Sequence, residues 1–127
     1  MRIAVTATKP SLEAALDPRF GRCPCFVLVE TDDMSFEAIS NANMSLGGGA
    51  GIQSAQLMAE KGVKAVLTGN CGPNAHQTLT AAGIDVIVGC SGTVSEAVER
   101  FKSGQFRTAS APNVASHSGL GGGSGPR

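Results

Sequence analysis

Short apolar runs near the start of the chain have the pattern of β-strands. Residues 2–8 and 26–31 are rich in β-branched side chains, and residues 35–41 follow a turn at Asp32 and Asp33. Because strands so close in sequence usually pair as neighbours, we expect these three to form an antiparallel meander.

The second half of the chain alternates between helical and strand patterns. A glycine-rich loop at residues 47–51 precedes a helix whose apolar face is predicted to carry Ile52, Ala55 and Ala59. Strands and helices then alternate over residues 63–68, 73–82, 84–88 and 93–102. The patterns predict an α/β fold with a mixed five-stranded sheet, in which three antiparallel strands precede two parallel βα units, and helices flank the sheet.

Residues typical of helix ends support these assignments. Pro73 suits a first helical position, and Thr93 with Glu96 can form a capping box. A glycine follows each of the three predicted helices, at Gly62, Gly83 and Gly104. We expect one domain over residues 1–102, followed over residues 103–127 by a flexible tail rich in glycine and serine.

Composition argues against several classes of partner. The chain of 127 residues has ten acidic and ten basic side chains, so its charge favours neither nucleic acid nor an anionic membrane. It has no apolar run long enough to span a bilayer and no signal-peptide pattern, so we expect a cytoplasmic protein. The spacing of the cysteines matches no zinc or iron–sulfur motif; they are Cys23, Cys25, Cys71 and Cys90.

Three glycine-rich loops precede the predicted helices, at the end of the sheet where α/β proteins bind ligands. Each brings backbone N–H groups and the partly positive end of a helix to that end, so we expect an anionic ligand. Any single loop alone is better explained as a plain turn, so the prediction depends on the three loops together; the first loop lacks the lysine of a P-loop. The candidate binding residues are Gly47, Gly48, Gly49 and Gly51 in the first loop, Gly69, Asn70, Gly72 and Pro73 in the second, and Ser91 and Gly92 in the third.

A short segment between the first two predicted strands adds positive charge. Arg19, Phe20, Gly21 and Arg22 lie in a turn, where the two guanidinium groups can supply planar donors to an anion. The alternative is a solvated loop in which Asp17 pairs with an arginine.

Five segments, taken in order, carry a family resemblance: Asp17-Pro18-Arg19-Phe20-Gly21-Arg22, Gly49-Ala50-Gly51, Gly62-Val63, Gly69-Asn70-Cys71-Gly72-Pro73-Asn74-Ala75 and Gly83-Ile84-Asp85-Val86. Each segment is weak alone, but together they resemble the dinitrogenase iron-molybdenum cofactor biosynthesis family. That family includes nitrogenase cofactor carriers and molybdenum-copper orange proteins.

The resemblance implies a ribonuclease H-like fold and a carrier or storage protein that is not an enzyme. Its cargo would be an anionic metal–sulfur cluster, either a molybdenum-copper sulfide or the iron-molybdenum cofactor or its precursor. The cluster would be held non-covalently and passed to a cofactor-assembly protein or ATPase during processes related to nitrogen fixation. The alternative is an interaction or regulatory module that serves such a partner without binding metal.

Three side chains are candidates for direct contact with a metal. Cys71 lies in a helix-entry loop, where a thiolate would be favoured, and Cys90 occupies the corresponding position one unit later. His76 lies in the first turn of the second helix, near the same loops. The alternatives are buried thiols and a surface histidine, because a cluster that brings its own sulfide needs no set of thiolate ligands. Cys23 and Cys25 are predicted to point to opposite faces of their strand.

Overall fold

The computed structural model describes residues 1–42 and 49–104 of the chain. Within these residues five strands and three helices follow in the order β1 Arg2–Ala7, β2 Cys25–Glu30, β3 Phe36–Ser40, α1 Ala50–Glu60, β4 Ala65–Leu67, α2 Pro73–Ala81, β5 Asp85–Ile87 and α3 Val94–Lys102. The predicted elements are present, and their ends differ from the prediction by one or two residues.

The five strands form one mixed sheet in the order β3-β2-β1-β4-β5. Strand β2 runs antiparallel to β1 and β3, whereas β4 is parallel to β1 and β5 is parallel to β4. This confirms the predicted α/β architecture of three antiparallel strands joined to two parallel ones. We call the end of the sheet beyond Ala7, Leu67 and Ile87 the rim, because β1, β4 and β5 all have their carboxyl ends there.

Helices cover the two faces of the sheet unequally. Helices α1 and α2 pack on one face, where Met58 and Leu79 lie against Phe26 and Val66. Helix α3 packs on the other face through Val94, Ala97 and Val98, the side predicted for it. The starts of α1 and α2 therefore share one side of the sheet, and the start of α3 lies on the opposite side.

The buried face of α1 differs in part from the predicted one. Ala55 is buried as expected, but Ala59 is exposed and Ser54 is buried in its place. Helix α1 approaches α2 at Gly51, where an added Cβ would lie only 3.2 Å from the Cβ of Ala75. Because this close contact fixes which side of α1 faces inward, residues three and four positions further along are buried with it.

The predicted helix ends are confirmed. Pro73 occupies the first position of α2, and Thr93 and Glu96 form a complete capping box at the start of α3. A glycine with positive φ follows each helix, at Gly62, Gly83 and Gly104. In the part of the chain that the structure describes, no helix is long and apolar enough to cross a membrane.

Residues 12–23, which we call the crossing segment, run across the rim between β1 and β2. Near its start, the Leu16 N–H donates to the carbonyl of Gly92 at 2.8 Å. Further along, the Asn70 N–H donates to the carbonyl of Pro18 at 2.6 Å. The crossing segment is thereby tied to both of the loops that follow the parallel strands β4 and β5.

Gly69 permits this close approach, because a Cβ added there would lie 2.7 Å from the Cα of Pro18. We expect Gly69→Ala to lower the free energy of unfolding by about 1–3 kcal/mol, the usual cost of forced overpacking. Gly72→Ala is the matched control, since an added Cβ at Gly72 meets nothing within 4 Å and its φ is −76°. Urea unfolding of both variants provides the measurement, and equal stability would show that the approach at Gly69 is not tight.

Candidate functional site

The first turns of α1 and α2 lie side by side at the rim. Their N-cap residues are Gly49 and Gly72, and among the described residues no side chain caps either helix. The contact between Gly51 and Ala75 joins the two helices within one turn of these caps. Two sets of helix-terminal amides, both carrying partial positive charge, therefore meet in one place.

The crossing segment passes directly over the start of α1. Gly21 has a φ of +93°, and a Cβ added to it would lie 3.0 Å from the Cα of Gly51. Both the backbone conformation and the close approach therefore require glycine at this position. Arg22, which directly follows the residue in contact with α1, is exposed.

The third loop is arranged differently. Ser91 and Gly92 are exposed at the rim, but the start of α3 lies on the other face of the sheet. Its first four N–H groups all donate within the protein: Thr93 to Glu96, Val94 to Ala14, Ser95 to Leu12 and Glu96 to Thr93. The N–H groups at the start of α3 are thus all hydrogen-bonded within the protein. The structure does not bring this helix start together with those of α1 and α2.

The two arginines of the crossing segment are in different states. Arg19 binds Asp17 in bidentate fashion, with Nε to Oδ1 and Nη2 to Oδ2 both at 3.0 Å. The Asp17 carboxylate is buried, so most of the charge of Arg19 is offset. Arg22 forms no ion pair with any residue that the structure describes, so it is the arginine whose charge is available to a ligand.

Burial of the Asp17 carboxyl favours its neutral form and raises its pKa. The hydrogen bonds from Arg19 and the positive charge of Arg19 act in the other direction and outweigh burial, so the pKa of Asp17 lies below its ordinary value of 3.8. The interpretation in which Asp17 pairs with an arginine is therefore the one that the structure shows, although the loop is ordered around a buried carboxylate rather than solvated.

Phe20 contributes its backbone rather than its ring to the rim. Its N–H donates to the carbonyl of Asn70 at 3.2 Å. Its ring points into the core and lies 5.6 Å from the ring of Phe26, measured between centroids. Phe20 therefore anchors the crossing segment to the side of the sheet that carries α1 and α2.

The candidate thiols are buried and protonated at neutral pH. Burial raises the pKa of Cys71 to about 12 and that of Cys90 to about 11. The expectation that a thiolate is favoured at Cys71 is therefore wrong for the cargo-free protein, because loss of hydration raises the pKa of this thiol. Both sulfur atoms point toward backbone carbonyls, at 3.8 Å from Gly72 and 3.7 Å from Ile87 respectively.

The other two cysteines lie on opposite faces of the sheet, as predicted. Cys23 packs with the cluster under α1 and α2, and Cys25 packs with the cluster under α3. Burial, together with the charge of Asp17, raises the pKa of Cys23 to about 12. Within residues 1–42 and 49–104, no three histidine, cysteine or acidic side chains are grouped to hold a metal ion.

His76 lies in the first turn of α2, beside the candidate site. It is only 8% exposed, so the interpretation as a surface histidine is wrong. Gly47 and Gly48, the remaining candidates of the first loop, lie outside the described residues, as does the tail beyond residue 104.

Two threonines that the sequence analysis did not single out fix the crossing segment to the strand ends. The hydroxyl of Thr6 donates to the carbonyl of Asp17 at 2.5 Å and lies 2.9 Å from the hydroxyl of Thr68. Both threonines are fully buried. Thr68 is the last residue of one predicted apolar strand and Thr6 lies two residues before the end of another, and these positions were the one available signal.

A third residue that was not predicted is Asn41, directly after β3. Its side chain is buried and donates to the carbonyls of Gly21 and Cys23, at 3.0 and 2.8 Å. These partners lie far from Asn41 in sequence, and no local pattern identifies them.

Comparison with known protein families shows to which family the chain belongs. The model of the dinitrogenase iron-molybdenum cofactor family matches residues 1–104. The chain belongs to this family. The resemblance drawn from the sequence motifs is thus confirmed.

Relatives of this family member include proteins of bacteria and archaea. An uncharacterised protein of Methanocaldococcus jannaschii is 34% identical over 94 residues, which cover 72% of this chain and 80% of the relative. The apo form of the orange protein from Desulfovibrio gigas is 48% identical with a TM-score of 0.86, over 88% of this chain and 95% of that chain. A Thermotoga protein provisionally described as a NifB protein is 28% identical with a TM-score of 0.74, over 94% and 98% of the two chains.

Membership in this family and the likeness to the orange protein favour a cofactor-related role that is not catalytic. The same comparisons agree with the α/β class and the five-stranded sheet described above.

The Asp17–Arg19 pair makes stability depend on pH in the acid range. Because the folded-state pKa of Asp17 is depressed, its contribution is fully present above the ordinary value of 3.8 and is lost as pH falls through the lower folded value. Wild type should therefore lose stability more steeply than Asp17→Asn as pH falls from about 4 to about 2. Urea unfolding across that range measures the difference, with Asp85→Asn, an exposed site on β5, as a control that follows wild type. Parallel curves for wild type and Asp17→Asn would contradict the assignment.

The buried thiols should resist alkylation in the native protein. Since raised pKa values leave very little thiolate at neutral pH, iodoacetamide should modify native Cys71 and Cys90 at least about a hundredfold more slowly than the same residues after unfolding in urea. Mass spectrometry of time points locates each modified cysteine. Rapid modification of native Cys71 would contradict this expectation, because it would show an accessible thiolate.

Proposed function

We propose that this chain is a non-catalytic carrier or storage protein for an anionic metal–sulfur cluster, delivered during cofactor assembly. The cargo is a molybdenum-copper sulfide cluster, or the iron-molybdenum cofactor or its precursor. The observation that carries the proposal is the meeting of the starts of α1 and α2, which no side chain caps among the described residues, next to the turn that contains the exposed Arg22. A cluster that brings its own sulfide needs donors to sulfur, and backbone amides at helix starts are such donors.

The proposed binding residues divide into two groups. Gly49, Gly51, Gly72 and Pro73 form the two helix starts that would face the cargo. Gly69, Asn70, Phe20 and Gly21 hold the crossing segment over those starts, because their backbones contact one another or α1. Ser91 and Gly92 would lie at the edge of the site, since the amides of α3 are already used.

Charge at the site would come chiefly from Arg22. Arg19 is already bound to Asp17, although its guanidinium stays 60% exposed and keeps N–H groups that face solvent. Cys71 and the shielded His76 lie on the side of the sheet that carries α1 and α2, and the neutral thiol of Cys71 supports non-covalent holding. Uncharged side chains near sulfide cost less than thiolates, which would repel an anion. Cys90 packs on the other face, with α3.

The sheet topology and the family match support further parts of this proposal, namely the type of fold, the domain bounds and the recipient. The strand order β3-β2-β1-β4-β5, with β2 antiparallel, supports a ribonuclease H-like description of the fold.

We assign the carrier domain to residues 1–102, and the family match over residues 1–104 supports this assignment. The family's link with iron-molybdenum cofactor supports a cofactor-assembly protein or ATPase as the recipient. The four cysteines form no disulfide among the described residues, which supports a reducing compartment such as the cytoplasm.

The test is reconstitution with tetrathiomolybdate and copper, followed by gel filtration. We expect charge-transfer absorption to elute with wild-type protein, and Arg22→Ala to weaken retention about two- to fivefold, as expected for one exposed charge. Lys64→Ala is the control, because Lys64 is exposed and lies before β4, at the opposite end of the sheet. Colour that elutes only with small molecules rejects binding of this cluster.

Two glycine variants in the same experiment test the backbone amides. Gly49→Ala and Gly72→Ala each add a methyl group beside a helix start, where the added Cβ meets no described residue within 4 Å. Folding stability should therefore be kept while retention of colour falls. Unchanged retention in both variants would mean that these amides do not hold the cargo.

Elemental analysis of protein from its native host separates the carrier from the metal-free interaction module. Molybdenum with copper or iron near one cluster per chain supports the carrier, whereas traces far below that ratio favour the module.

A further inference from the structure

One buried side chain links three parts of the chain that meet at the proposed site. Asn41 follows β3 and is only 4% exposed. Its Nδ2 donates both hydrogens, one to the carbonyl of Gly21 at 3.0 Å and one to the carbonyl of Cys23 at 2.8 Å. Its backbone N–H donates to the carbonyl of Pro24 at 2.9 Å. The turn at residues 21–24 is thereby bound to the end of β3.

Helix α1 provides the third contact. The hydroxyl of Ser54 donates to Oδ1 of Asn41 at 3.5 Å, from one turn inside α1. Gly21 lies against the Cα of Gly51 in the same helix. Because the contact with Ser54 is long, Asn41 holds Gly21 against the helix start mainly through its two Nδ2 donors.

The two carbonyls that Asn41 binds flank a single residue. That residue is Arg22, whose own N–H donates to the carbonyl of Arg19 at 3.2 Å. The backbone of Arg22 is thus fixed on both sides, while its side chain stays exposed. A side chain with two donors and one acceptor is needed for this arrangement, and asparagine supplies both kinds of group at a short reach.

We infer that Asn41 is a positioning residue for the cargo site, and that it acts by holding the turn around Arg22 over the first turn of α1. This inference rests on the proposed function, because the site it serves is the one proposed above. Asn41 itself is buried beneath the turn and does not contact the cargo.

Hydrogen exchange on the cargo-free protein tests the positioning directly. Asn41→Asp keeps the size of the side chain and its acceptor but removes both donors, and Asn41→Ala removes them without adding charge. In both variants the amides of Phe20 and Arg22 should exchange about tenfold faster, the effect of about one net hydrogen bond. Amides of the central strand β1 should keep their protection. Ser54→Ala is the matched variant, since it leaves both Asn41 donors in place, and it should resemble wild type.

Retention of the molybdenum–copper colour in gel filtration is the second measurement. Both Asn41 variants should retain the cluster about tenfold less well than wild type, and Ser54→Ala should retain it nearly as well. Agreement between the aspartate and alanine variants excludes simple repulsion of an anionic cargo. If wild type retains colour and the Asn41 variants retain it equally well, the inference is overturned.

The exchange result separates failure of this inference from failure of the proposed function. If wild type retains no colour, the proposed function fails, and faster exchange confined to Phe20 and Arg22 still establishes Asn41 as the residue that orders the turn. If the exchange rates of the turn amides are unchanged, Asn41 does not order the turn. If the amides of β1 and of the turn exchange faster together, Asn41 acts on general stability. Either result overturns the inference.

Discussion

The backbone pairing between the crossing segment and the loop after β4 is the constraint on which the rest of the rim depends. Asn70 donates to Pro18 and accepts from Phe20, so the two segments lie in contact over several residues. Such pairing needs a backbone without a side chain beside it, which Gly69 provides. Thr6 and Thr68 hold the same region from below through buried hydroxyls. The crossing segment therefore forms a fixed wall of the candidate site, and its backbone is held by hydrogen bonds within the protein.

Electrostatics distinguish the three helix starts more clearly than their sequences do. All three loops contain glycine, but the amides of α3 are satisfied by Leu12, Ala14 and its own capping box. The amides of α1 and α2 begin at glycines that offer no capping side chain. In a capping box the N–H groups at the helix start already donate to side chains of the protein. These groups are then not available to an anion, so a helix with a complete capping box is the poorer candidate for an anion site.

Much of the fold could be predicted from local pattern. Alternating and continuous apolar runs located the strands, and Pro73, Thr93 and the glycines after the helices marked the ends of the helices. The features that escaped prediction depend on contacts between distant segments. The contact of Gly51 with Ala75 determines which side of α1 faces inward, and burial keeps the Cys71 thiol protonated. The hydrogen bonds of the Asn41 side chain go to carbonyls far from it in sequence. Periodicity and spacing within one element carry no information about such contacts.

The buried, neutral thiols have a consequence for how a proposed cargo would leave the protein. A metal held by thiolate bonds departs only after ligand substitution at the metal, which is slow and usually needs a competing thiol or a proton. A cluster held, as proposed, by amide hydrogens and a guanidinium would keep its own metal–sulfur bonds throughout. Handover to a recipient would then amount to exchange of an outer hydrogen-bonding shell, and the cluster would arrive with the same bonds with which it was received.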